Sequence, residues 1–207
     1  IEKKVVGQEK QEKCTKLSKV ILASSSETRK IMLNQYFSEV INIPHNAEEA
    51  KYKKQKKNPE EIVLRIAKEK ALSVLKDYPN ETIIASDQIL VCENNLLSKP
   101  KSLEEATKKL LFLRNKTHKL LSSIYVIRTG KLYFQQVKEA SLFFANISQN
   151  DIELYVKNNK KTVLTTVGSY KIEENSKYKF LRIIEGDQET ILGFPIQDLI
   201  KKIKNEK

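Results

Sequence analysis

Val20-Ile21-Leu22-Ala23-Ser24-Ser25-Ser26-Glu27-Thr28-Arg29-Lys30 sets the fold class of this chain. Four consecutive apolar residues suit a short buried strand. Three serines interrupt the run, and Ile31, Met32, Leu33, Tyr36 and Phe37 then follow at helical spacing. The stretch reads as a strand, a serine turn and a helix N-terminus. Such a turn presents unpaired backbone N–H groups at the positive end of a helix dipole, where anions bind. Arg29 and Lys30 place positive charge in the first helical turn, which is unfavourable unless an anion lies nearby. No Gly-Lys-Ser/Thr follows, so this is no Walker A loop, and the serines read equally as simple helix caps.

Outward from that turn, strands and helices interleave. Asn58 suits an N-cap, Pro59 the first helical position, and Glu61 completes a capping box. Ile62, Val63, Ile66, Ala67, Ala71, Val74 and Leu75 then repeat on one face, with Arg65, Lys68 and Lys70 largely outside it. Thr82 to Ala85 is a second buried-strand candidate, and Ile89 to Cys92 a third or its continuation. Asp87 ends the first of these runs, where an enzyme presents a carboxylate and a turn equally requires one. Ser102 and Glu105 cap another helix. Leu120–Arg128 and Leu132–Ala145 are long strand-like segments joined at Thr129-Gly130, a hairpin signal. Ser148 and Asp151 open a helix, Phe180–Ile184 reads as a strand, and Phe194–Ile203 as a last helix. A hairpin within an interleaved α/β pattern predicts a mixed twisted sheet flanked by helices.

Composition bounds the function classes. The 207 residues suffice for one sizeable core. No apolar run reaches the ~18–20 residues that span a bilayer. Residues 1–18 read as a flexible basic tail without an apolar signal region, and 19–207 as a single domain. Two cysteines, Cys14 and Cys92, build no disulfide framework and suit a reduced, cytoplasmic setting. The formal charge of +12 favours an anionic partner. Part of it sits in lysine runs such as Lys51–Lys57, which read as solvated segments. Aromatic residues do not interleave with those runs, which counts against single-stranded nucleic acid. His45 and His118 are too isolated to suggest a zinc site. Lys99-Pro100 carries little weight alone, and Glu173 and Glu174 beside Gly168-Ser169-Tyr170 read as a solvated pair.

In order along the chain, these segments resemble the Maf family of nucleoside triphosphate pyrophosphatases. The resemblance rests on Ile21 to Lys30, Val63-Leu64-Arg65-Ile66-Ala67-Lys68-Glu69-Lys70-Ala71, Ile84-Ala85-Ser86-Asp87-Gln88, Lys99-Pro100, Gly168 to Glu173 and Ile191-Leu192-Gly193-Phe194-Pro195. It covers residues 19–203. It implies a two-lobed, inosine-triphosphatase-like α/β fold with a central cleft, cleavage between the α and β phosphates, a divalent cation (Mg²⁺ or Mn²⁺) and a possible homodimer. Asp87 then takes the place of the general base, and Lys99 joins it in catalysis. Ser24, Ser26, Arg29 and Lys70 would hold phosphates, and Asp87 with Glu48, or with its neighbour Glu49, the metal.

The resemblance also bears on the base. Thr28, Gln88 and Glu173 stand where the branch acting on 7-methyl-GTP has Trp, Gln and Glu, and where the dTTP/UTP branch has Arg, Thr and Gln. Two of three favour 7-methyl-GTP, and a carboxylate at 173 can accept from guanine N1–H and its exocyclic amine. Thr28 removes the aromatic platform, a face that Tyr170 could supply, and Lys30 stands where a second Arg is common. The alternatives are a dTTP/UTP pyrophosphatase, a basic nucleic-acid-binding protein, and a cell-division interaction module.

Overall fold

A computed structural model describes residues 17–54 and 58–206. Along the chain run β1 (Val20–Leu22), α1 (Glu27–Asn34), β2 (Val40–Asn42), α2 (Glu49–Lys53), α3 (Pro59–Leu75) and β3 (Thr82–Cys92). There follow β4 (Asn95–Leu97), α4 (Leu103–Leu113), β5 (Lys116–Arg128), β6 (Lys131–Phe144), α5 (Gln149–Asn158) and α6 (Lys160–Thr165). After a 3₁₀ turn at Ile172–Glu174 come α7 (Asn175–Tyr178), β7 (Leu181–Glu185), α8 (Gln188–Ile191) and α9 (Gln197–Asn205).

Among the described residues seven strands form one mixed sheet, in the order β2-β1-β3-β5-β6-β7 with β4 also paired to β3. The β1 strand runs parallel to β2 and β3, whereas β5, β6 and β7 continue antiparallel. The mixed sheet expected from the interleaved pattern and the hairpin is therefore present. Thr129 (φ 47°) and Gly130 (φ 76°) form the two-residue β5–β6 turn. Two successive positive φ values match the right-handed twist of the flanking strands, which is why glycine suits the second position.

The pairing of β3 positions the site. One edge of β3 is matched to β5 from Thr82 to Val91. The other edge meets β1 only at Ile83 and Ile84, and β4 only from Leu90 to Cys92. Between those contacts Ala85–Ile89 has no strand neighbour on that side among the described residues, so the sheet carries a gap. Asp87 therefore stands in the middle of an eleven-residue strand, not at the end of a short one. The sequence expectation of a strand terminus at Asp87 is corrected accordingly: Ser86-Asp87-Gln88 interrupts the apolar run without interrupting the hydrogen bonds to β5.

Side chains along a strand alternate between faces. Ile83 and Ala85 pack with Ala67, Ala71 and Val74 of α3, and Ile89 packs with Val63. Ile84 faces the opposite layer, with Met32 and Leu33 of α1 and Leu199 of α9. Asp87 shares the α3 face, Ser86 and Gln88 the other. A separate cluster joins Leu90, Leu110, Phe144, Tyr155 and Val163, so apolar cores lie on both sides of the gap and a cleft runs between them.

Caps follow the sequence closely. Ser26, Asn58, Ser102 and Ser148 each accept a backbone N–H in the first turn of their helix. The Asn58 cap bond comes from Glu60 N. Residues 1–16 of the expected tail lie outside the described residues. Leu17, placed in that tail by the sequence, is instead buried and bridges Phe37, because its side chain joins the α1–α9 core.

Candidate active site

The cleft encloses about 770 Å³ and is lined by Ser24–Arg29, Glu49, Lys70, Asp87, Gln88, Lys99 and the 164–173 segment, among others. The serine turn forms part of its lining. Ser24 Oγ accepts from Ser26 N at 3.1 Å, and Ser26 Oγ from Arg29 N at 3.4 Å. Both hydroxyls thus shape the turn as acceptors, and each retains a proton to donate.

Arg29 repairs the gap in the sheet. Its Nη1 donates to the Ser86 carbonyl at 2.9 Å, on the β3 edge that lacks a strand. Nη1 also approaches Ser24 Oγ at 3.4 Å, and Nε donates to the Gly193 carbonyl at 3.1 Å. Ser86 Oγ donates to the same carbonyl at 2.9 Å. Burial lowers the Arg29 pKa, opposed by the charges of Asp87 and Glu49. Three bonds fix the guanidinium plane, and none of them uses Nη2.

Gly193 makes this arrangement possible. Its φ is +85°, and a Cβ added there would lie 3.2 Å from the Gln88 amide. Gly193→Ala should therefore cost ~1–3 kcal/mol of backbone strain and crowding and shift the carbonyl that Arg29 and Ser86 share. The expected result is a lowered melting temperature together with weakened anion binding; unchanged values of both would remove this role.

Lys70 lies at the base of the cleft with its side chain 4% exposed. Its ammonium is 2.7 Å from Asp87 Oδ1 and 2.8 Å from Glu49 Oε1. Contrary to the sequence reading, Lys70 falls within the buried stripe of α3, four residues from both Ile66 and Val74. The stripe tolerates a cation there because two carboxylates meet it. Asp87 Oδ2 is buried without a hydrogen-bond partner among the described residues. Burial pushes the Glu49 carboxyl upward, but Lys70 and then Lys53 outweigh it and hold it down to about 2.

Glu48, the expected metal ligand, is exposed and does not line the cleft. One residue on, Glu49 begins α2 and turns inward. The one-residue choice follows from where the short helix starts, which the sequence did not signal. His45 was also missed as a cleft residue. It lines the cleft, its Nδ1 accepts from Ala47 N at 3.3 Å, and Nε2 lies 3.8 Å from Glu49 Oε1. Burial, then the charge on Lys70, lowers its pKa. Its spacing from other polar residues gave no signal.

Lys99 reaches the cleft from the segment after β4; crowding around its ammonium, then the charge on Arg29, lowers its pKa. Thr28, Gln88 and Glu173 line the same cleft, and Lys30 does not. The amide nitrogen of Gln88 donates to Ser122 Oγ, Thr190 O and Ile191 O at 3.1, 3.0 and 2.9 Å. Those bonds pin α8 to the sheet and leave Oε1 as the end available to a ligand. Glu174 is held by Tyr155 and Thr162, whereas Glu173 is exposed at the cleft wall. Tyr170 does not offer the free stacking face suggested by the sequence: its ring is 7% exposed and its hydroxyl bonds the buried His118. Gly168 explains why, since a Cβ there would fall 2.4 Å from the Tyr170 ring.

Comparison with known proteins places the chain in a family. A family described as "Maf-like protein" matches residues 19–206. A nucleoside triphosphate pyrophosphatase of Paramagnetospirillum magneticum is 33% identical, covering 87% of this chain and 94% of its own length. A dTTP/UTP pyrophosphatase of Pyrococcus furiosus is 34% identical, covering 91% and 95%. Among solved structures, the Ham1 protein of Staphylococcus aureus superimposes with a TM-score of 0.50 over 91% of this chain and 100% of its own, at 16% identity. That likeness concerns the fold alone.

Proposed function

Since the chain belongs to the Maf family and its relatives are named nucleoside triphosphate pyrophosphatases, we propose that it hydrolyses 7-methyl-GTP to the monophosphate and pyrophosphate. The observation that carries the catalytic part is the buried, unpartnered Asp87 Oδ2, set beside Lys70 where β3 has no strand neighbour. An acceptor held in that state is suited to taking a proton from water attacking the α-phosphorus. Arg29, with Ser24 and Ser26, receives phosphate oxygens, and Lys99 faces the charge that develops on the leaving pyrophosphate.

Asp87 and Glu49 also fit a hard divalent cation such as Mg²⁺ or Mn²⁺. Their oxygens are the right donors, and Oδ2 of Asp87 lacks a partner. Among the described residues no group of three or more His, Cys, Asp or Glu converges, so substrate oxygens and water would complete the shell, as Mg²⁺ commonly requires. When bound, the cation supplies charge neutralisation and a more acidic water.

Glu173 supports the choice of base. Exposed on the wall of the same cleft as the serine turn, its carboxylate can accept from guanine N1–H and the exocyclic amine together, and it suits the positive charge of a methylated ring. Removal of modified nucleotides before polymerases use them would be the biological role, in the cytoplasm and with a homodimer as the working form. Among the described residues no helix is long and apolar enough to cross a membrane.

A pyrophosphate-release assay over a nucleotide panel, with Mg²⁺, Mn²⁺ and Co²⁺ in turn, tests this reading. Turnover of 7-methyl-GTP is expected to dominate, and Glu173→Gln should lower its kcat/KM by about tenfold to a hundredfold, since one acceptor becomes a donor. Turnover of dTTP and UTP with none of 7-methyl-GTP would move the chain to the activity named for its Pyrococcus relatives.

A further inference from the structure

Two irregular segments form much of the cleft wall. One is Ser98-Lys99-Pro100, after β4; the other runs from Thr166 to Lys171, after α6, and leads to Glu173. Neither belongs to a helix or the sheet, yet each presents residues the proposed reaction needs at fixed positions. A single side chain joins them. Lys109, on α4, donates from Nζ to the carbonyl of Ser98 and to the carbonyl of Val167, the latter at 3.0 Å.

Several features suit Lys109 to this task. The α4 helix is anchored by Ala106, Leu110 and Leu113, all fully buried. Its ammonium is therefore delivered from a rigid element. The two acceptors are neutral backbone oxygens, so the ammonium is not matched by a carboxylate as in an ordinary surface pair. Burial lowers its pKa to about 8, although Glu105 acts in the opposite sense, as fits an ammonium taken largely out of bulk water. Ser98 adjoins Lys99, and Val167 itself lines the cleft.

We propose that Lys109 is a positioning residue that ties the Lys99 segment to the 166–173 wall and so fixes the spacing between the phosphate end and the base end of the cleft. The role of that spacing in turnover rests on the pyrophosphatase reading; the tie itself does not. A misplacement of about 1 Å can cost on the order of a hundredfold in rate, so one cross-link between irregular segments is enough to matter.

Lys109→Met and Lys109→Arg separate the possibilities, each compared with wild type by amide hydrogen exchange and by kinetics on the preferred nucleotide of the panel. Lys109→Met is expected to speed exchange in 96–101 and 165–173 while β3 and β5 stay protected, and to lower kcat about tenfold to a hundredfold. Lys109→Arg, which keeps a cation able to bridge two carbonyls, should restore both. Wild-type exchange and turnover in Lys109→Met would overturn the proposal, as would faster exchange throughout β3 and β5 that arginine fails to reverse. If the wild-type protein hydrolyses no nucleotide, the pyrophosphatase reading fails, and the exchange comparison alone decides whether Lys109 forms the tie.

Discussion

Asp87→Asn is expected to lower the rate of pyrophosphate release by about 10²–10⁴-fold, the range a positioned general base contributes, with the fold preserved. Asparagine has nearly the same shape, and its Oδ1 can still accept from Lys70 Nζ, which lies 2.7 Å from the native oxygen. Electrostatics around Lys70 remain tolerable, because Glu49 at 2.8 Å still balances its charge. What changes is the second atom. Asp87 Oδ2, buried and unpartnered, becomes an amide nitrogen that can only donate. Water can no longer give up its proton there, and a divalent cation loses a ligand. Steady-state kinetics together with a thermal melt are decisive: a near-native melt with a collapsed kcat is the expected pair. Full activity in Asp87→Asn would remove Asp87 from the chemistry.

Lys70→Met is expected to have the larger effect on stability. Methionine fills similar space, but it deletes the cation that lies between Glu49 and Asp87. Breaking a buried ion pair by removing one partner typically costs ~3–5 kcal/mol, because charge is left uncompensated in a poor solvent. The cost should depend on pH in a definite direction. In the native protein Lys70 and Lys53 hold the Glu49 carboxyl near 2, below its ordinary 4.5. That contribution to stability is complete above about 4.5 and disappears as pH falls through about 2. Burial is the largest influence on Glu49, and without Lys70 only Lys53 opposes it, so its carboxyl should titrate above its ordinary 4.5 in the folded variant. A raised folded value is relieved by protonation at low pH and becomes a growing penalty as pH rises. The gap in melting temperature between wild type and Lys70→Met should thus be smaller at pH 5 than at pH 8. Activity should fall at least as far as in Asp87→Asn, since the same carboxylate loses its orientation. A gap that does not change with pH would show that packing, not charge, dominates at Lys70.

Local features of the chain carried much of this architecture. Val20–Leu22 is a strand because its residues are apolar and β-branched or leucine, and the serines end it because they prefer to cap. Asn58-Pro59 and Ser102 open helices for reasons confined to the first turn. Thr129-Gly130 makes a hairpin because a two-residue turn needs positive φ. The set of Arg29, Lys70, Asp87, Gln88, Lys99 and Glu173 was legible through the family resemblance, and these residues do meet in one cleft.

Other features had no local signature. Asp87 looked like a strand end because three polar residues interrupt an apolar run, yet strand continuity is decided by the ten-residue register with β5. Tyr170 looked like a free aromatic because nothing nearby in sequence indicates that its hydroxyl is hydrogen-bonded to His118, 52 residues earlier. Lys109 is one of many lysines, and only the meeting of Ser98 and Val167 gives it a task.

The sequence by itself determined the mixed α/β class, the helix caps and the hairpin, because each depends on neighbours within about one turn or one strand. Only the tertiary structure decided that Glu49 rather than Glu48 faces Lys70, that Arg29 closes a gap in the sheet, and that Gln88 spends its amide hydrogens on α8. Those outcomes are set by which strand edge is left unpaired and by partners as far as 164 residues away, and charge or hydrophobicity along the chain carries no record of such distances.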